Sequence, residues 1–369
     1  MGGAEYSTIK LCEELSKEHK VDISFCNNTL WNDGKKDFDA FGCKLHAHKV
    51  KQYSTNKFWW LKRYYEKLQW KKIIKEDIEK LKPDLIFTHM RFAPPVIDAA
   101  KENGIPVVVF IHYYAHFCPI QFEGKDPFQC DRKCYKCLPK QDLWQYPIIK
   151  RSIDWHVSAL KKAYLVISVS SYVKQITDKW CGIDSKIIPP FMDLDACKAE
   201  TRKPEYIYFT PPNVGKGINI VLKIADRMKN EKFLITGRSE RTSLDIIAEI
   251  RKRDNITYIP WIENKKDLFS SVKLLLMPSL WPEPFGMVAI ECQNNGIPVL
   301  ASNIGALPEV IGEGGLIINN PNDVDSWISA IQKFKEMDFY NIKSQIAIKN
   351  VEKIKPKFDF SDFMNMVSK

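Results

Sequence analysis

LLLMPSLWPEPFGMVAIECQNNGIPVLASNIGALPE, residues 274–309, carries a strand, a loop, a helix and a second strand in that order. The apolar run Leu274 to Met277 stops at Pro278 and Ser279, and a short loop holds Glu283, Pro284, Phe285 and Gly286. Apolar periodicity then predicts a helix from Met287 to Asn295. Gly296 closes that helix, PVLAS is the next strand, and a loop with Gly305 leads to a short helix opened by Pro308 and Glu309. Strands separated by helices form a parallel, doubly wound sheet, which binds ligands at the carboxyl ends of its strands.

Two carboxylates with seven residues between them stand in EPFGMVAIE. Glu283 falls on the loop, and Glu291 lies roughly 7 to 8 Å further along the helix axis. That offset suits a ligand with a sugar at one end and a ribose at the other. The amides of Phe285, Gly286 and Met287 open the helix between them, where the phosphates of such a ligand are favoured. The motif reads as a binder of a nucleotide sugar.

Outward from this stretch the alternation continues. EYIYFT, KFLITG and ITYIPW are strands, with helices starting at Lys216, Leu244 and Lys265. The proline pair in IIPPFMDLD (187–195) marks a linker. Before it, DLIFTH ends in His89, a nearly all-apolar strand ends in His112, and YLVISVS leads into a helix capped by Ser170 or Ser171. The chain opens with a helix from Ala4 to Lys17 and a strand from Val21 to Phe25, followed by a polar connection. A long helix over 57–82 comes next, ended by Pro83. The expected domains are 1–190, 191–350, and a terminal helix over 351–369 that crosses back to the first domain.

The string PSxxxEPFGxxxxE, followed by GIPVxAS, GALPE and GEGG, resembles glycosyltransferase family 4, retaining enzymes of the GT-B fold. The resemblance implies an α/β chain of two Rossmann-like, doubly wound domains facing a cleft. It gives Glu283 the donor-sugar hydroxyls and Glu291 the ribose. His112 reaches the sugar or its phosphate, although the family's following Asp is Tyr113 here. Lys216, in NVGKGINIVLKIA, matches the lysine that meets the diphosphate; the family's arginine five residues earlier is Pro211, and Arg238 is the candidate replacement. Trp261 falls near the expected base pocket. Gly2 and Gly3 match a glycine-rich loop facing the donor phosphates and the acceptor. The strand that precedes those glycines in the family is missing, which points to a start upstream of Met1 or to an unusual first sheet.

The implied activity is transfer of a sugar from a nucleoside diphosphate to a glycan or lipid-linked acceptor in polysaccharide biosynthesis, with no cofactor required for catalysis. Two other readings fit the same fold: a binding protein without turnover and a sugar-nucleotide epimerase. EPFG with its paired carboxylates argues against the epimerase.

The net charge of +10 is uneven, residues 1–185 carrying 30 basic and 22 acidic side chains. From Lys57 to Lys75 there are seven basic residues and one acid, interleaved with Phe58, Trp59, Trp60, Tyr64, Tyr65 and Trp70. This composition predicts a helix that docks on an anionic membrane. No apolar run reaches the length of a membrane span and no signal peptide opens the chain, so a cytoplasmic protein, peripheral on the inner face of the membrane, is expected. No nucleic-acid recognition motif accompanies the basic face. Cys118, Cys130, Cys134 and Cys137 fall within twenty residues, the last three spaced C-x₃-C-x₂-C, and form a candidate structural zinc or iron–sulfur site.

Overall fold

A computed structural model describes residues 2–27, 36–50, 58–89, 92–114, 117–122, 125–238, 242–260, 262, 264–354 and 360–367. The chain divides into two compact units, Met1–Met192 with Asp359–Lys369, and Asp193–Phe358.

The first unit runs α1 (Gly3–Leu15), β1 (Asp22–Cys26), β2 (Asp37–Ala40), β3 (Cys43–His48), α2 (Trp59–Leu81), β4 (Ile86–His89), α3 (Ala93–Glu102) and β5 (Val107–Ile111). It continues through α4 (Tyr146–Leu160), β6 (Leu165–Ser168), α5 (Ser171–Cys181) and β7 (Lys186–Ile187). Ser170 caps α5, its hydroxyl accepting from the Val173 amide at 3.1 Å. Parallel strands β4-β5-β6-β7 form one sheet, with every residue of β5 buried. A second sheet, β1-β3-β2, pairs β1 with β3 in parallel and β2 with β3 antiparallel. Among the described residues no ladder joins the two, so the single sheet expected here is divided, with β1 and β4 as edge strands of separate sheets.

The β2–β3 hairpin falls in what the sequence suggested was only a polar connection. Ala40 pairs with Cys43 across the two-residue turn Phe41-Gly42, both at positive φ. That is the geometry a tight hairpin needs, but Phe-Gly lacks the Asn-Gly signature that announces it.

Helix α2 also turns differently from expectation. Trp60 and Trp70, read from the sequence as interfacial, face inward with Lys67, Ile74 and Ile78, while Leu68 is exposed. Lys67 is tolerated inside because its Nζ donates to Ser152 Oγ of α4 at 2.6 Å.

The second unit runs β8 (Tyr206–Phe209), α6 (Ile218–Arg227), β9 (Lys232–Thr236), α7 (Leu244–Arg251), β10 (Ile256–Ile259), α8 (Lys265–Ser271) and β11 (Val272–Met277). It continues with α9 (Met287–Asn294), β12 (Val299–Ser302), α10 (Leu307–Ile311), β13 (Gly315–Ile318), α11 (Val324–Lys333) and α12 (Met337–Ile354). The sheet order is β10-β9-β8-β11-β12-β13, all parallel. Strand succession therefore reverses between β8 and β11, the crevice where open α/β sheets take their ligands. Helix α12 runs unbroken through residue 350, where a boundary was expected, because no breaker precedes Pro356. The terminal helix α13 (Phe360–Val367) belongs to the first unit, Phe363 stacking on Phe87 of β4 at 5.7 Å.

Candidate active site

Three loops, leaving the carboxyl ends of β8, β11 and β12, hold Glu283. The carboxylate is 4% exposed. Its Oε1 accepts a hydrogen bond from Ser279 Oγ at 2.9 Å and another from Lys216 Nζ. Lys216 comes from the β8 loop, where Asn213 Oδ1 accepts its amide at 2.8 Å and its ammonium sits 4.6 Å from the Trp281 ring centroid. The β8 and β11 loops are stitched together by the Gly215 carbonyl, which accepts from Leu280 N at 2.8 Å and Trp281 N at 3.2 Å. From the third loop, Ala306 N donates to Glu283 O at 2.7 Å.

Glycines make this closeness possible. A Cβ at Gly305 would collide with the Glu283 backbone, and one at Gly217, where φ is +88°, would collide with the Pro278 carbonyl. Gly217→Ala is therefore expected to cost more than about 2 kcal/mol of stability, from strain at positive φ and a backbone clash together. It should also displace Lys216 next door; a urea titration with an unchanged midpoint would contradict this packing.

Gly286, at φ +95°, caps α9 and starts the helix at Met287. The first-turn amides begin a few residues after Glu283 and carry the positive end of the helix dipole. The Phe285 ring is core, so only its backbone is available to a ligand, while Gly286 and Met287 are half-buried. Glu291, one turn into α9, is 9% exposed and accepts from Lys265 Nζ of α8 at 2.5 Å. Arg238 lies two residues past the end of β9, half-buried. Trp261 lies outside the described residues. Ile259 and Ile262, on either side of it, line a cavity of about 500 Å³ with Leu234, Thr257, Asn264 and Leu268.

In the first unit, His112 follows β5 and His89 ends β4, an adjacent strand. Their rings stack at 5.1 Å, with His89 Nδ1 and His112 Nε2 2.9 Å apart. Thr8 Oγ1 of α1 approaches the His89 ring nitrogens at 3.5 Å. Burial pushes His112 down to about 4, against a smaller upward pull from the Glu5 carboxylate. Burial, and then the charge of His112, hold His89 well below the ordinary histidine range. Gly3 is the exposed first residue of α1, and the Gly2 amide donates to Glu5 Oε2 at 2.8 Å. Glu5 thus accepts from Gly2 and also exerts its charge on His112.

Two family models divide the chain. Glycosyltransferase Family 4 matches residues 1–196, and Glycosyl transferases group 1 matches residues 199–353. The chain belongs to glycosyltransferase family 4. An uncharacterized 41.2 kDa protein in the cps region of Klebsiella pneumoniae is 43% identical over 103 residues, so the match spans only 27% of this chain and 27% of that one. The O-antigen chain mannosyltransferase RfbU of Salmonella typhimurium is 26% identical over 219 residues, 57% of this chain and 60% of that one. Anabaena HepE, solved in complex with UDP-glucose, superposes with a TM-score of 0.69 at 15% identity, over 100% of this chain and 95% of its own. The fold is GT-B.

Among the described residues no three His, Cys, Asp or Glu side chains are placed to hold an ion, although Cys130 and Cys134 lie near enough to Cys118 to raise its thiol. Cys118 is buried and accepts from Phe122 N at 3.3 Å, and burial pushes its thiol up to about 12. Cys134 is likewise raised by burial, with Cys130 and Cys137 near enough to add to it. All four are free thiols. His89, Ser279, Trp281 and Lys265 are the site residues that sequence reasoning passed over. Each acts through a partner 4 to 65 residues away, which no local pattern records.

Proposed function

We propose that this protein transfers a sugar, with retention, from a nucleoside diphosphate to a glycan or lipid-linked acceptor in the building of a surface polysaccharide. The observation that carries the reading is the meeting of Lys216 and Glu283 at the sheet's reversal point, beside the amino terminus of α9. A cation and a helix dipole at one spot suit a diphosphate, whose charge grows as the sugar leaves. A buried, hydrogen-bonded carboxylate next to them suits the hydroxyls of that sugar. Glu291, a turn further on, suits the ribose, and the Lys265 ammonium holds its carboxylate in place.

In this reading the protein contributes position and electrostatics. Lys216 exchanges Glu283 for the diphosphate when the donor binds, which frees the carboxylate for a sugar hydroxyl. His112, held neutral by burial and with its Nε2 against His89, keeps only Nδ1 for a ligand and does not add a second cation. A polysaccharide acceptor is supported by the relatives' cps and O-antigen context, a nucleotide-sugar donor by the HepE complex, and retention by the family.

The test is a panel of nucleotide sugars incubated with the protein, with and without lipid-linked acceptor. Acceptor-dependent release of free nucleoside diphosphate is expected, with the anomeric configuration of the product kept by NMR. Donor binding without release would leave a non-catalytic binder, and an epimerised sugar nucleotide would replace the transferase by an isomerase.

A further inference from the structure

Helix α2 has two faces of opposite character. The inward one is Trp60, Lys67, Trp70, Ile74 and Ile78. At 100° per residue, Phe58, Leu61, Lys62, Tyr65, Leu68 and Lys72 fall together on the other side. Phe58, Tyr65 and Leu68 are 42% to 49% exposed, more than single surface hydrophobics on one helix ordinarily show at successive turns. The stripe continues onto a neighbouring 3-10 turn, Lys140–Gln145, whose Leu143 and Trp144 are 39% and 51% exposed. Trp144 packs edge-on against Phe58 at 4.9 Å, and Gln145 Oε1 accepts the Trp60 amide at 3.3 Å, so helix and turn form one surface.

We propose that this surface, Phe58, Tyr65, Leu68, Leu143 and Trp144 with Lys62, Lys72 and Lys140 around it, binds the anionic headgroup layer of a lipid membrane. The occupant is decided by charge and side-chain type. Residues 58–65 carry Lys62 and Arg63 and no acid, and the Lys72 side chain, 4.0 Å from the exposed Glu76 carboxylate, is 82% exposed beside the apolar stripe. Aromatic rings settle at the level of lipid headgroups, and lysine stems reach past them to phosphate. A stripe of about 15 Å along the axis of a helix lying flat suits a plane better than a pocketed protein partner. No described helix is long and apolar enough to cross a membrane, so contact of this kind would be peripheral and reversible. Trp60 and Trp70, which gave the sequence its interfacial character, take no part. The residues that do are the ones a core helix would have buried.

The experiment uses the full chain and needs no substrate, so its result is independent of the transferase reading. Sedimentation with vesicles of phosphatidylcholine alone is compared with vesicles containing about 30% phosphatidylglycerol, at low and at high salt. Binding is expected only to the anionic vesicles, falling at least roughly tenfold on raising salt from about 0.1 to 0.5 M, as screened surface charges require. Two folded variants, Tyr65→Ser/Leu68→Ser/Trp144→Ser and Lys62→Glu/Lys72→Glu, should each lose it. Vesicles with brominated acyl chains should quench wild-type fluorescence more than that of Trp144→Phe. Absence of pelleting, equal pelleting with both lipids, or variants that pellet like wild type would each overturn the proposal. So would a wild-type dimer in light scattering that the triple variant converts to monomer, since a second copy would then cover the face.

Discussion

Glu283→Gln is expected to lower turnover by roughly 10²- to 10³-fold, the usual loss when a preorganised electrostatic partner of the reacting group is removed. Its effect on folding should stay small. The amide keeps an acceptor for Ser279, and Lys216, whose side chain is 23% exposed, can turn to water. Lys216→Met differs in kind. It should cut turnover as deeply and weaken nucleoside diphosphate binding more. It also strands a carboxylate that is only 4% exposed. Breaking a buried pair from one side costs about 3 kcal/mol or more, and partial exposure of the lysine places this pair at or below the lower end. The double variant separates the two roles. With no carboxylate left to strand, urea unfolding should return most of the stability lost in Lys216→Met, while turnover stays low. Full activity in Glu283→Gln would remove the site assignment. Stability losses that simply add would mean the two side chains do not depend on each other.

The order strand, loop, Glu283, helix, Glu291 could be read from residues 274–309 because each step has a local cause: Pro278 ends a strand, Gly286 caps a helix, and apolar residues recur at helical spacing. That Glu283 is held by Lys216, 67 residues earlier, could not. Periodicity gives the succession of strands but not that β8 and β11 are neighbours, and only that adjacency brings their two loops together. The same limit applies to His89 and His112, which stand on adjacent parallel strands with no pattern linking them. For α2 the composition was legible and its rotation was not. Tryptophan at 60 and 70 satisfies a core face as readily as an interface, and the choice falls to the shape of α3 and α4 against it.

The second large effect is on acid stability. In the unfolded chain a histidine titrates near 6.5. Folded, His112 is held down to about 4 and His89 lower than its ordinary value, in both cases chiefly by burial. Between those limits the unfolded chain binds protons that the folded chain excludes, so stability rises with pH across the window. The contribution is complete above about pH 6.5 and drains away as pH falls toward 4. For His112 alone the loss at pH 5 is about 2 kcal/mol, and His89 acts in the same direction. The carboxylates of Asp37 and Asp77 are lowered, hydrogen-bonded to His46 and His48, and their stabilising effect is lost only at more acid pH. Scans between pH 7.5 and 5 therefore isolate the histidine pair. For a unit of this size the wild-type melting temperature should fall by about 4 to 8 °C more than that of His89→Asn/His112→Asn over that range. Glu5 on α1 is the charged group that opposes the shift, so Glu5→Gln should steepen the wild-type slope by removing its favourable field at His112. Parallel slopes in wild type and the asparagine pair would mean that burial does not hold the two rings below the ordinary histidine range.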